Sequence, residues 1–176
     1  MTLEIDLNGE FIDACGRGDL DAVRRCLKQG VDIHVHNDWA LQWTAQCGHV
    51  DIVRFLVENG INIHAVYDLA LRRAAYNGHL DIVRFLDENG ADIHAANDEA
   101  LRWAAHGGHL EVVRFLVENG ADIHIGDDFA LQYAAERGHS NVVNYLRQVA
   151  GPKYKCHRCL IRSTCLELCE DFRVGK

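Results

Sequence analysis

The residues of this chain with the clearest chemical potential lie in GPKYKCHRCLIRSTCLELCEDFRVGK, residues 151–176. Cys156 and Cys159 form a Cys-x-x-Cys pair, and Cys165 and Cys169 are four apart. Thiolates at such spacings are ligands of tetrahedral zinc, and residues four apart share one face of a helix. His157 is a substitute ligand. Only five residues separate the two pairs, which is short for a zinc site. The competing reading is an amphipathic helix that packs Leu160, Ile161, Leu166 and Leu168 on the preceding structure, with the cysteines as small apolar residues. Two sets of histidines also recur, at His34, His64, His94 and His124 and at His49, His79, His109 and His139. No nucleophile elbow, phosphate loop or paired catalytic carboxylates are present, so an enzyme is not expected.

The elements that must position these residues follow from a repeat. Asp38, Asp68, Asp98 and Asp128 recur every 30 residues, as do Leu41, Leu71, Leu101 and Leu131 and the Gly-His pairs at 48, 78, 108 and 138. Each period reads as two helices. DEALRWAAHGG opens at Asp98, whose carboxylate is expected to cap free N–H groups, and closes at Gly107-Gly108. LEVVRFLVENG carries Leu110, Val112, Val113, Phe115, Leu116 and Val117 as a wide apolar face at helical spacing. Ala104 and Ala105 are small enough to let helices approach closely. Neither helix is long enough to be stable alone. Stacked copies bury each other's faces, which is the energetic logic of a solenoid.

GHLEVVRFLVENGADIH resembles the second helix and following turn of an ankyrin repeat, and the resemblance covers roughly residues 8–150 in register. It implies an all-α ankyrin-repeat solenoid of stacked helix-turn-helix units with short inter-repeat turns. The expected domain spans 1–150, with a cap unit at 8–37, repeats at 38–67, 68–97 and 98–127, a C-terminal unit at 128–150, and a cysteine-rich basic tail at 151–176. The first unit carries polar replacements (Asn8, Asp19, Arg25), and SNVVNYLRQVAG of the last is polar at Asn141, Asn144, Arg147 and Gln148, as terminal units require. The usual ankyrin unit is about 33 residues long and opens with T-P-L-H-x-A. Here the unit is 30 and the phrase is WALQWTA, LALRRAA, EALRWAA or FALQYAA. The missing residues fall where the family builds a projecting β-hairpin finger, so shortened fingers and a flatter binding face are expected. Units of this wording are similar to those of ankyrin proteins from large DNA viruses of amoebae.

Letters that repeat are expected to pack, and letters that change are expected to recognise. The changing letters lie on the inter-unit connections and the first helix, where Gln42, Arg72, Arg102 and Gln132 also vary. In the family these regions line the concave groove that holds a protein partner. The partner-binding residues so implied are Trp39, Trp43, Tyr67, Arg73, Tyr76, Glu99, Trp103, His106, Phe129 and Tyr133. Trp, Tyr and Arg are the types enriched at binding hot spots; the alternative is that Trp43, Trp103 and Tyr133 fill gaps between helices. The expected role is an adaptor, scaffold or decoy that acts as a monomer. The alternative makes the tail a zinc-dependent docking element, linking to host machinery such as a ubiquitin ligase.

Stacking also constrains the histidines. Neighbouring helices lie about 8–10 Å apart, whereas a metal holds its nitrogens at about 2 Å. Equivalent histidines of adjacent units therefore cannot share a metal, and no cofactor is expected outside the tail. Each histidine is instead expected to hydrogen-bond loop backbone, and acid to loosen the stack. Cys15 and Cys26 take positions of core Ala and Leu and are expected to be buried; Cys47 is expected nearer the surface.

Bulk properties exclude other classes. The formal net charge is −8, so a general nucleic-acid surface is not expected. Residues 151–176 hold six bases and three acids, against twelve and twenty-three in the rest. No run is apolar enough to span a membrane, and the N-terminus lacks the features of a secretory signal. The expected location is intracellular, in the cytoplasm, or in the host cytoplasm for a viral chain, with cysteines reduced.

Overall fold

The computed structural model describes residues 6–151. The tail, and with it the zinc reading at Cys156, Cys159, Cys165 and Cys169, lies outside the described residues. Among the described residues, ten helices form five pairs: α1 (Leu7–Arg17) with α2 (Leu20–Lys28), α3 (Val35–Cys47) with α4 (Val50–Glu58), α5 (Ala65–Asn77) with α6 (Leu80–Glu88), α7 (Ala95–Gly107) with α8 (Leu110–Glu118), and α9 (Ile125–Glu136) with α10 (Ser140–Ala150). The architecture is the all-α solenoid expected, with no strand among the described residues. No helix there is long and apolar enough to cross a membrane.

The core runs as a continuous stripe between the two helix layers. Leu41, Leu71 and Leu101 are fully enclosed, as are Leu56, Leu86 and Leu116. Each such leucine contributes about 2 kcal/mol of transfer free energy, and the cluster draws on every unit. Cys15 and Cys26 belong to it, while Cys47 is half-buried. Burial pushes the Cys15 thiol up to about 12.

First helices of adjacent units lie closer together than second helices do. The sequence supplies the reason. First helices meet through Ala74, Ala75, Ala104 and Ala105, all without solvent exposure, whereas second helices meet through Val, Leu and Phe. The stack therefore curves toward the first-helix side, which is concave. On the opposite side, Arg54 lies 4.5 Å over the Phe85 ring, Arg84 4.7 Å over Phe115, and Arg114 4.8 Å over Tyr145. Each arginine covers an aromatic ring of the following unit. Among the described residues the ladder ends at Asn144, which is exposed.

Where the family's finger would project, the chain makes one left-handed turn. Residues 36–38, 66–68, 96–98 and 126–128 all have φ between 50° and 68°. This conformation costs non-glycine residues roughly 1–2 kcal/mol each, and less for Asn and Asp. Three of the four turns use Asn, Asp or Gly at two or more of the positions. The fourth, Val66-Tyr67-Asp68, contains the least permissive residues. The shortened connection is thus as expected, and it is built as a turn of the wrong hand for a helix.

Close approach of first helices leaves no room at Ala75, which is fully buried. Ala75→Leu is expected to destabilise the chain by about 2 kcal/mol through overpacking, read as a lower urea midpoint. An unchanged midpoint would show that small residues do not set the spacing of the first helices.

Candidate functional site

Four carboxylates organise the turns. Asp38, Asp68, Asp98 and Asp128 are 4–7% exposed. Their Oδ1 atoms accept from Nδ1 of His34, His64, His94 and His124 at 2.7, 3.0, 2.8 and 2.9 Å. Asp38 and Asp68 also accept from backbone N–H groups near the far end of their own units, Asn62 at 3.1 Å and Asp92 at 3.2 Å. This corrects two expectations. Asp98 holds a histidine rather than capping its own helix, because the left-handed turn points its carboxylate back along the chain. His34 and its counterparts bond a carboxylate rather than loop backbone.

The second histidine set does bond backbone, in the preceding unit. Nε2 of His49, His79, His109 and His139 donates to Gly16 O, Gln46 O, Tyr76 O and His106 O, at 2.9, 3.0, 2.9 and 2.9 Å. Each imidazole thereby takes an orphan carbonyl at the end of a first helix. Gly78 sits under the His109 ring at φ +79°, and a Cβ there would lie 2.4 Å from Nδ1. The first unit has no preceding unit among the described residues, and Asp19 stands in place of the histidine. It caps α2 instead, accepting from Ala22 N–H at 2.9 Å. Asp6, not Asn8, caps α1, accepting from Gly9 N–H at 3.0 Å.

The varying residues at 42, 72, 102 and 132 prove to be structural. Gln42 donates to Asn37 O at 3.0 Å, Arg102 to Ala96 O at 2.9 Å, and Gln132 to Asp127 O. Arg72 donates to Tyr67 O at 3.0 Å and Val66 O at 2.6 Å. The strongest staple therefore sits on the turn with the least permissive residues. Arg72 also pairs with Glu99 and lies 5.6 Å over the Trp103 ring. Glu99 is thus engaged within the stack, with its side chain 21% exposed.

The other nominated residues form two groups on the concave side. In the first, Trp39 stacks on Trp43 with centroids 6.2 Å apart, and Arg73 lies 4.8 Å over Trp39 while donating to Gln46. The Trp43 indole also fills the space over Gly16, where a Cβ would lie 2.1 Å from Nε1. Trp43 is therefore in part the gap-filler of the alternative reading. The second group is continuous. Trp103 meets Tyr76 edge-on at 5.9 Å, Tyr76 stacks on His106 at 5.7 Å, His106 meets Tyr133 edge-on at 5.8 Å, and Tyr133 stacks on Phe129 at 5.7 Å. All five rings remain partly accessible, Tyr76 most at 43%. Tyr67 stands apart on its turn, 77% exposed.

A groove of about 490 Å³ adjoins this row, lined by Tyr76, Asn77, His106, Gly107, His109, Arg137 and His139. Asn77 and Arg137 are changing letters at the end of a first helix, whereas sequence reasoning missed His109 and His139 as the groove's walls. The signal was present in the Gly-His spacing, but the 30-residue register hid that each ring reaches back 33 residues. A smaller groove of about 320 Å³ is lined by Asp6, Asp13, His36 and Trp39 among others. Among the described residues no three His, Cys, Asp or Glu side chains converge as a metal would need.

Residues 11–97 and 71–156 each match the family model for ankyrin repeats (3 copies). No curated protein matches the sequence.

Burial holds the pKa of His109 below its ordinary value. Burial, then Arg137 and His139, do the same for His106. The unfolded chain therefore takes up these protons first. Stability is complete above the unfolded value of about 6.5 and is lost as pH falls through it toward the folded one. The thermal midpoint is expected to fall between about pH 7.5 and 5.5, and to fall less in His109→Gln, whose amide can still donate to Tyr76 O. An equal drop in wild type and variant would remove His109 from the acid response.

Proposed function

The chain belongs to the ankyrin-repeat family, and on that premise we propose that it is a non-catalytic adaptor, scaffold or decoy that grips a protein partner along its concave side. Ankyrin repeats are generally protein–protein interaction modules. The observation that carries the reading is the row Trp103–Tyr76–His106–Tyr133–Phe129, an unbroken run of partly accessible rings on the concave side. Large rings already held by their neighbours lose little conformational freedom on binding, so their buried area converts efficiently into affinity. Trp39, Trp43 and Arg73 extend the row toward the first unit, and Tyr67 offers a ring at the rim. Glu99 contributes by positioning Arg72 rather than by touching the partner. The net charge of −8 disfavours nucleic acid, and the reduced cysteines Cys15, Cys26 and Cys47 suit an intracellular chain acting as a monomer.

A second reading gives the docking role to the tail, through zinc held by Cys156, Cys159, Cys165 and Cys169. The Cys-x-x-Cys spacing and the local excess of bases support it.

The two readings separate experimentally. Trp103→Ala with Tyr133→Ala is expected to cut capture of the protein partner from cell extract by about tenfold or more, since hot-spot residues each contribute 2 kcal/mol or more. Retained capture by a variant with wild-type circular dichroism would move binding off the concave face. For the tail, purified chain is expected to carry about one zinc that is lost on deletion of residues 151–176. A metal-free full chain, purified without chelator and tested after zinc addition, would eliminate that reading.

A further inference from the structure

The groove beside the aromatic row differs from the rest of the chain in charge. The chain holds 26 Asp and Glu residues, yet none lines this groove. Its wall comprises His106, His109, Arg137 and His139 with Tyr76, Asn77 and Gly107. Arg137 is exposed and makes no ion pair among the described residues. The ring nitrogens of His106 likewise have no hydrogen-bond partner there; the imidazole is held only by Tyr76 and Tyr133. Carbonyls that would repel an anion are already occupied, Tyr76 O by His109 and His106 O by His139. His109 and His139 are the N-cap residues of α8 and α10 and accept no hydrogen bond from them, so both helix N-termini start beside the groove, with Glu111 in the first turn of α8 and Asn141 Oδ1 accepting from Val142 N–H in α10.

We propose that this groove receives the carboxylate of an Asp or Glu side chain on the protein partner, held by the Arg137 guanidinium and the His106 imidazole. The proposal rests on the concave-face reading and names what one end of that face recognises. The aromatic row takes the partner's apolar side chains, and the groove at its edge takes the adjacent acid. Arg137 supplies a permanent charge and a planar fork of donors that matches a carboxylate. His106 adds a charge-assisted bond when protonated. In the free protein burial, Arg137 and His139 hold that proton off, with Glu136 opposing them. His109 and His139 line the same wall, with Tyr76 stacked on the His106 ring and Tyr133 edge-on to it. An arriving carboxylate offsets the repulsion among these cations, so binding is coupled to proton uptake and tightens as pH falls.

The test is titration of hexaglutamate into the full chain at low ionic strength, followed by amide and imidazole NMR shifts. Saturable shifts are expected at Gly107, His106, Arg137 and His139. Arg137→Glu is expected to weaken binding by about tenfold or more. Affinity is expected to be higher at about pH 6 than at about pH 7.5, and His106→Phe, which keeps a ring on Tyr76, is expected to lose that difference. Absence of shifts in the groove, or equal binding by Arg137→Glu, would overturn the proposal. Equal affinity for inorganic phosphate would reassign the groove to anions in general. Loss of partner capture in the Trp103 and Tyr133 variants but not in Arg137→Glu removes this groove alone and leaves the concave-face reading standing.

Discussion

A carboxylate buried at each turn sets the register of the stack. An aspartate taken out of water is costly unless donors surround it. At Asp38 and Asp68 the donors come from two directions, an imidazole of the preceding unit four residues earlier and a backbone N–H near the far end of the same unit. Neither carboxylate can be satisfied by its own unit alone. The imidazoles of the second set repeat the logic, each donating to a carbonyl of the unit before it. Polar demand thus ties every unit to its neighbour at fixed offsets, and the apolar stripe then packs in one register only.

That register produces curvature and divides the surface. Paired alanines draw the first helices together, while Val, Leu and Phe keep the second helices apart. The side with larger spacing is closed by arginines lying on the next unit's ring. Those aromatics are largely consumed in stacking. On the concave side the rings are braced sideways by one another, and part of each stays accessible. The chain therefore carries two aromatic ladders with opposite fates, one spent on cohesion and one left partly accessible.

On the concave side the shape of the face and the stability of the stack depend on the same side chains. Arg72 holds the strained Val66-Tyr67 turn, pairs with Glu99 and covers Trp103. Through these contacts a turn carbonyl, an acid and a partly accessible ring share one side chain. Trp43 is similar, with one side of its indole toward Trp39 and the other over the backbone of Gly16. A change at either residue alters the shape of the face as well as its chemistry.

Periodicity alone determined the helix pairs, the buried stripe and the polar character of the terminal units, because a fixed 30-residue spacing of Leu, Ala and Gly-His admits few other arrangements. It also marked the positions at which the units differ. Only the tertiary structure decided which of those differences face outward. Gln42, Arg72, Arg102 and Gln132 vary like recognition residues, yet all donate to carbonyls of a left-handed turn. Two residue types with suitable donors satisfy one backbone need, so variation there does not require a partner to explain it. Asp98 has the sequence context of a helix cap, but backbone handedness aims it at His94. The histidine wall of the groove at Arg137 was hidden for a related reason. Its wall joins side chains from three units, and spacing along one chain does not show which rings reach back to the unit before. Local pattern specifies elements and their spacing; the direction of a side chain is settled by the turn that carries it and the neighbour it meets.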